Sequence, residues 1–256
     1  MYSCGIDIGS VSSEAVIINR SDGDLKILSY EILPTGGDSK QTADSIFQKV
    51  LQKANISKNQ VDLIIATGYG RINIPFADKN ITEISCHARG VINYYPGTRT
   101  VVDVGGQDSK IIKLGNDGNP VDFLMNDKCA AGTGRFLEVM AKALEIDIVN
   151  FADIFMQTNE KVDISSTCTV FAESEIVSLI GHGVDKNRIV KGLTYSITDR
   201  LVSMIERIGL EEPVCMTGGV AKNLAVVKAL EERLEISISV PEEPQITGAL
   251  GAALLA

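Results

Sequence analysis

The sequence predicts an α/β protein built from two related halves that face each other across a central cleft. The first observation is an internal echo. GIDIGSVSSEAVII at 5–18 and VVDVGGQDSKIIKL at 101–114 each run from an apolar strand through an aspartate and a glycine turn with serine into a second strand. The second is that three glycine turns, DIGS at 7–10, DVGGQDS at 103–109 and TGGVAKN at 217–223, each follow a short apolar strand. The third is the run VDLIIATGYG at 61–70, which follows a helical pattern and is apolar enough for a buried strand of a parallel sheet.

Each element follows in order. Residues 3–9 and 14–19 read as strands joined by SVSS, and GDLKILSYEIL as a third after the turn SDGD at 21–24. SKQTADSIFQKVLQKANI at 39–56 sets Ile46, Phe47, Val50 and Leu51 on one face, as an amphipathic helix does. The second strand-turn-strand opens near residue 97, after YYPG, and helical patterns follow at 133–146, 169–182 and 187–208. PVCMTGGVAKNLAVVKALEERL reads as strand, double-glycine turn and helix, and PQITGALGAALLA as a helix of small residues suited to close packing. The expected halves are 1–96, with the helix at 245–256 packing back on it, and 97–244.

A chain of 256 residues buries a substantial core, and 45% hydrophobic with 22% charged residues is an ordinary globular composition. A net charge of −9 argues against an extended nucleic-acid-binding face, which needs clustered Lys and Arg. No apolar run approaches the roughly 20 residues that span a bilayer. MYSCGIDIGS lacks the basic-then-apolar layout of a secretory signal, so no membrane association and a cytoplasmic location are expected. Cys4, Cys86, Cys129, Cys168 and Cys215 form no CxxC pair, and neither a disulfide framework nor a zinc ribbon is suggested.

Glycine turns after strands expose backbone N–H groups on which phosphate oxygens collect hydrogen bonds. The sequence contains neither GxxxxGK[ST] nor GxGxxG, which disfavours the P-loop and Rossmann readings. Asp7 and Asp103 end strands at matching positions of the repeat, so a duplicated fold sets them face to face across the cleft. Such a pair suits a hydrated Mg2+ bridging nucleotide phosphates, because magnesium keeps several waters and takes few protein ligands. The plainer alternative is that each caps a turn.

GIDIGS, EISCHARG, VVDVGGQDSK, MTGGVAKN and QITGALGAALLA together resemble the phosphate, connecting and adenosine segments of the actin, sugar kinase and heat-shock chaperone ATPase superfamily. ATGYGR, NDKCAAGTGRFLE and SSTCTVFAESE resemble, more narrowly, the ATP-dependent activators of 2-hydroxyacyl-CoA dehydratases. That family takes in the 2-hydroxyglutaryl-CoA dehydratase activators and the ATPase subunits of benzoyl-CoA reductase. The resemblance runs end to end and implies two ribonuclease H-like (actin-like ATPase) halves. It implies that Ser10, Ser12, Ser13, Gly105, Gly106, Gln107, Gly218, Gly219 and Gln245 contact ATP or ADP, with Gly132, Thr133 and Gly134 within reach. Asp7 and Asp103 would hold the magnesium shell, and Glu83 lies where related ATPases orient the attacking water. One departure stands out: Glu14 occupies a position where the family commonly carries Lys, and a carboxylate cannot neutralise phosphate charge, so either Glu14 points away or affinity rests on backbone donors and metal.

Cys129 and Cys168 each precede a helical pattern, one with Phe136, Leu137, Met140 and Leu144 on a stripe, the other with Phe171, Ile176 and Ile180. Helix N-termini favour thiolates. On the residues alone, two buried thiols at helix starts are an equal alternative. The resemblance implies instead that the two cysteines are ligands of a 4Fe–4S cluster. Such a cluster takes four thiolates, so two copies of the chain would share one in a homodimer. Cys86 and His87 are expected to be packing and hydrogen-bonding residues.

The function implied is an ATP-hydrolysing one-electron donor. It would accept an electron from ferredoxin or flavodoxin and pass it to an iron–sulfur dehydratase or reductase. Partners that do not dehydrate fit the same motifs. A small-molecule kinase of the N-acetylglucosamine type is the rival, although it has no use for Cys129 and Cys168; a filament-forming protein fits less well.

Overall fold

The computed structural model describes residues 1–21, 24–165 and 168–256. Asp22 and Gly23 of the turn expected at 21–24, and Ser166 and Thr167 of the second cysteine segment, lie outside the described residues.

The chain opens with β1 (Tyr2–Ile8), β2 (Ser12–Ser21) and β3 (Asp24–Pro34), an antiparallel meander. Helix α1 (Ser39–Ala54) follows. The Asp38 side chain starts it by accepting the N–H groups of Lys40 and Gln41, both at 3.0 Å, and Asn55, left-handed at φ 54°, ends it. Then β4 (Leu63–Thr67) joins β1 in parallel, and β5 (Lys79–Asn80) joins β4. Strand β1 is buried on both faces, and its period of two sorts them. Cys4, Ile6 and Ile8 pack with Ile46, Phe47 and Val50 of α1, whereas Ser3, Gly5 and Asp7 share the opposite face.

Helix α2 (Glu83–Tyr94) leads into β6 (Thr100–Val104), β7 (Ser109–Leu114) and β8 (Pro120–Asn126). Helices α3 (Gly134–Leu144), α4 (Phe151–Met156), α5 (Thr169–Gly181) and α6 (Lys186–Ile208) come next, then β9 (Val214–Thr217), α7 (Leu224–Leu234), β10 (Ile238–Ser239) and α8 (Thr247–Leu254). Among the described residues the strands form two five-stranded sheets, ordered β3-β2-β1-β4-β5 and β10-β9-β6-β7-β8. Read from the meander outward, the second sheet repeats the first strand for strand. The echo seen in the sequence is therefore a repeat of topology.

The largest core lies under the second sheet, where α3, α5, α6 and α7 bury Phe136, Leu137, Met140, Ile176, Leu193 and Leu201. One expected stripe differs. Ala172 and Ile176 are the buried residues of α5, while Phe171 is 68% exposed. Residues 171 and 176 are five apart, about 140° around a helix of 3.6 residues per turn, so a single partner cannot cover both.

The halves are joined by a helix exchange. The last helix, α8, packs on the first sheet through Ala249, Leu250 and Ala253 against Val16 and Ile18. Helix α2 packs on the second sheet through Ile84, Ala88 and Val91 against Val101, Ile112 and Cys215. The two helices cross each other at glycines. A Cβ on Gly251 would lie 1.7 Å from the Cys86 carbonyl oxygen, and one on Gly90 would lie 2.2 Å from that of Thr247. Only glycine lets the backbones approach this closely.

Candidate functional site: an aspartate pair under three glycine turns

The duplicated register places an aspartate and a threonine in the same row of each sheet, with a charged residue on the aspartate's other side. Asp7 of β1 stands opposite Glu14 of β2 and Thr67 of β4; Asp103 of β6 stands opposite Lys110 of β7 and Thr217 of β9. Directly paired residues project from one face, so each row is a neighbouring triad. Both aspartates are buried, 7% and 3% exposed. Each is backed by a glycine at φ +83°: a Cβ on Gly68 would fall 2.2 Å from Asp7 Oδ1, and one on Gly218 would fall 2.7 Å from Asp103 Oδ1. His87 of α2 sits between the rows. Its Nδ1 is 3.6 Å from Asp103 Oδ1 and 3.2 Å from Thr217 Oγ1, and its Nε2, like Asp7 Oδ2, borders Gly248.

The two rows differ in charge. Lys110 Nζ lies 3.2 Å from Asp103 Oδ2 and 2.8 Å from Asp108 Oδ2, and Thr217 Oγ1 donates to Asp103 Oδ1 at 3.2 Å. Burial alone would raise the Asp103 pKa, but the charges of His87 and Lys110 and these hydrogen bonds outweigh it and hold the carboxyl below its ordinary range. Burial also works against the Lys110 charge, yet Asp103 and Asp108 keep its pKa above the usual lysine value. In the first row burial dominates. Asp7 is pushed up to about 6 despite His87 and Lys110. Glu14 is driven well above its ordinary value by burial and then by Asp7, against the hydrogen bond that Ser12 Oγ donates to it at 2.6 Å.

The glycine turns lie at the ends of these rows. Gly9 N–H donates to the Ser12 carbonyl at 3.0 Å and Gly105 N–H to that of Asp108 at 3.0 Å, so the first two turns close in the same way. They also meet, since a Cβ on Gly106 would lie 2.4 Å from Val11 Cγ2. Ser10 and Gln107 are exposed and Ser12 half-buried, whereas the buried Ser13 hydroxyl is paired with Thr35 Oγ1 at 2.8 Å. In the third turn Gly219 is exposed, and Gln245 reaches across to Ser12, Nε2 to Oγ 3.4 Å. Glu83, the first residue of α2, is ion-paired to Arg71 at 2.8 Å, and Arg71 also donates to the Gly68 carbonyl at 2.8 Å.

The cysteine segment 129–134 touches the second turn directly. Gly134 N–H donates to the Gly105 carbonyl at 2.9 Å and Arg135 N–H to that of Gly106 at 2.8 Å. Gly132 takes φ +91°, and the buried Thr133 donates its hydroxyl to the Ala130 carbonyl at 2.6 Å. Asn126 Nδ2 holds the loop by donating to the carbonyls of Cys129 and Ala131, at 2.9 and 3.2 Å. Cys168 is the N-cap of α5, with no side-chain cap bond, and α5 packs against α3.

The five thiols fall into two classes. Cys4, Cys86 and Cys215 are buried, and burial pushes their pKa values up, to about 12 for the latter two. Cys129 is half-buried and Cys168 exposed. Among the described residues no group of three or more His, Cys, Asp or Glu is placed to hold a metal ion, and no helix is long and apolar enough to cross a membrane. Two surface cavities, of about 340 and 300 Å³, lie away from the turns, one beside Tyr195 and one beside Arg89.

Sequence reasoning found the aspartates and turns but missed Thr67, Thr217 and Lys110 as members of the rows. The signal for Lys110 was present: following the hairpin forward from Asp103 to its cross-strand partner reaches it, as it reaches Glu14 from Asp7.

Comparison with known proteins agrees with this architecture. A sequence profile of the BadF/BadG/BcrA/BcrD ATPase family matches residues 4–256. The chain is 48% identical over 256 residues to the activator of lactoyl-CoA dehydratase of Anaerotignum propionicum, covering 100% of this chain and 97% of that one. It is 45% identical, with a TM-score of 0.94, to the structure of the activator of the 2-hydroxyisocaproyl-CoA dehydratase from Clostridium difficile with bound ADPNP, covering 100% of this chain and 94% of that one. A ROK family glucokinase from Streptomyces griseus, in complex with glucose and AMPPNP, shares the fold alone, at 13% identity, a TM-score of 0.61 and coverage of 100% and 99%.

Proposed function

The chain belongs to the BadF/BadG/BcrA/BcrD ATPase family, and from that premise we propose that it is an ATP-dependent electron donor that activates a 2-hydroxyacyl-CoA dehydratase. Nucleotide binds under the three glycine turns, between a first half of residues 1–96 with 245–256 and a second half of 97–244. Asp7 and Asp103 hold a hydrated Mg2+ against its phosphates. The observation that carries the reading is the pair of hydrogen bonds from Gly134 and Arg135 to Gly105 and Gly106, at 2.9 and 2.8 Å. Through them a change at the phosphate turn acts on the helix that follows Cys129, whichever nucleotide is bound.

The chain's thiols fit a shared 4Fe–4S cluster. A cluster takes four thiolates, and here three of five cysteines are sealed in the core while Cys129 and Cys168 are accessible. Cys168 stands at a helix N-terminus where its own side chain makes no cap bond, and the neighbouring Thr169 Oγ1 is buried with no partner among the described residues. These donors suit a group that carries negative charge. Two copies meeting around a two-fold axis would supply the four sulfurs. When bound, the cluster supplies a one-electron carrier. The chain's own residues position it, bias it with α3 and α5, and link it to the cleft. Ferredoxin or flavodoxin is the donor in this reading, and the acceptor is an iron–sulfur dehydratase such as those named for the relatives.

Anaerobic preparation with iron and sulfide analysis tests the proposal. We expect a brown dimer with about four iron atoms per two chains, colourless after Cys129→Ala or Cys168→Ala but still able to bind ADP. Wild-type protein that takes up no iron under reconstitution would overturn the electron-transfer reading and leave an ATPase.

A further inference from the structure

We propose that Glu14 and Asp7 bind one divalent cation directly, so that in the first half a metal ion takes the place that the Lys110 ammonium takes in the second. The inference rests on the nucleotide reading of the cleft and deepens it. The ion is the one that reading sets against the phosphates: Asp103 keeps its contact through water, while Asp7 and Glu14 enter the shell directly, a part that a fully water-shelled ion would not ask of Glu14.

The repeat supplies the argument. Glu14 and Lys110 are the same position of the fold, each opposite an aspartate at the end of a first strand. In the second half the row is neutralised, with Lys110 Nζ 3.2 Å from Asp103 Oδ2 and Thr217 Oγ1 3.2 Å from Asp103 Oδ1. In the first half the corresponding groups have nothing of the kind. Glu14 is 5% exposed and Asp7 7%, and both are acids. No described residue gives the Asp7 carboxylate a hydrogen bond; His87 and Lys110 act on it only through space. Thr67 Oγ1 is fully buried and has only the weak Cys86 thiol as a partner among the described residues, whereas its counterpart Thr217 is bonded to both His87 and Asp103. One row is complete, and its twin has no cationic side chain bonded to it among the described residues.

Two adjacent buried carboxylates are costly when ionised without a counter-charge. Ser12 occupies Glu14 Oε1 at 2.6 Å, so the rest of the Glu14 carboxylate and both Asp7 oxygens are the acceptors available. Hard oxygen donors of this kind select Mg2+ or Mn2+, and nucleotide phosphate and water complete the shell. Lysine at position 14 would carry the phosphate charge itself. With Glu14, nucleotide affinity passes to the ion.

Free Mn2+ is read by its electron paramagnetic resonance signal during titration of wild-type protein, Glu14→Gln and Glu14→Lys, with and without ADP. Glu14→Gln keeps the size of the side chain and a carbonyl acceptor for Ser12. We expect it to weaken Mn2+ binding about 10–100-fold, and Glu14→Lys to abolish that site while letting ADP bind in the presence of EDTA, where the wild type fails. Equal Mn2+ affinity of wild type and Glu14→Gln overturns the proposal and assigns the pair a shared proton instead. Failure of the wild type to bind ADP under any condition sinks the nucleotide reading, and the titration without ADP still decides the carboxylate pair.

Discussion

The backbone N–H of Gly134 donates to the carbonyl oxygen of Gly105 at 2.9 Å, tying the first turn of α3 to the second glycine turn of the cleft. A Cβ added at Gly134 would lie 3.2 Å from that oxygen and 3.4 Å from Gly106 Cα, so even a methyl group requires the turn to give by a few tenths of an ångström. A β-branched residue there must push helix and turn apart. If α3 reports nucleotide state at Cys129, ADP changes the alkylation rate of the metal-free Cys129 thiol several-fold in the wild type, the scale of an ordinary coupling free energy. Gly134→Val loses that response while keeping ADP affinity within about tenfold. A nucleotide-independent alkylation rate in the wild type would show that the turn and the thiol are uncoupled.

Asp7 sets a pH dependence of stability that a surface aspartate would not. Burial pushes its pKa up to about 6, while an unfolded aspartate titrates near about 3.9. The folded state therefore binds this proton first as pH falls. The contribution is fully present below the unfolded value and is lost as pH rises through about 6. The difference is on the order of 2–3 kcal/mol between pH 8 and pH 4 for Asp7 alone, and Glu14, shifted the same way, adds to it. In metal-free, nucleotide-free protein, Asp7→Asn has a higher urea midpoint than wild type at pH 8, and the gap narrows toward pH 5. Parallel curves across that range would mean Asp7 already has a partner. Magnesium with ADP raises the wild-type midpoint most at pH 8, where the carboxylate is charged.

The duplicated half was legible because its signal is local. Asp7 and Asp103, Gly9 and Gly105, and Glu14 and Lys110 lie at a constant spacing along the chain, and a strand's register converts that spacing directly into neighbours. Helix α2 was not legible as a helix. Its apolar stripe is only Ile84, Ala88 and Val91, and the other buried positions, Cys86, His87 and Gly90, are small or polar, which blurs the helical period in so short a segment. Those residues are there because α2 crosses α8 and must put His87 between the aspartates, demands that arise only from tertiary packing. The same holds for α4, six residues long and carrying only Phe155 and Phe151 inward. Thr67 and Thr217 were invisible for another reason: the strands that hold them beside Asp7 and Asp103 arrive from distant chain, and no local pattern reports a parallel crossover.

Helix α5 presents Val170, Phe171 and Val177 to solvent at 67%, 68% and 58% exposure, beside the exposed Cys168 at its N-terminus. Residues 170 and 177 share a helix face seven positions apart, and Phe171 stands about 100° around with Ser174 and Ser178 between, so the exposed edge beside Cys168 carries apolar side chains at both margins. If Cys168 is to meet the sulfurs of a second copy, this edge must be part of the contact. Phe171→Glu places a charge in it, and truncated aromatic anchors at such contacts cost about 2–4 kcal/mol of association. We expect Phe171→Glu to sediment as single chains at concentrations where the wild type is dimeric, to lose bound iron with the dimer, and to retain ADP binding. Ile72→Glu, in the first half and 76% exposed, is the control and leaves the dimer intact. A Phe171→Glu protein that stays dimeric with full iron would place the subunit contact on another face and separate Cys168 from it.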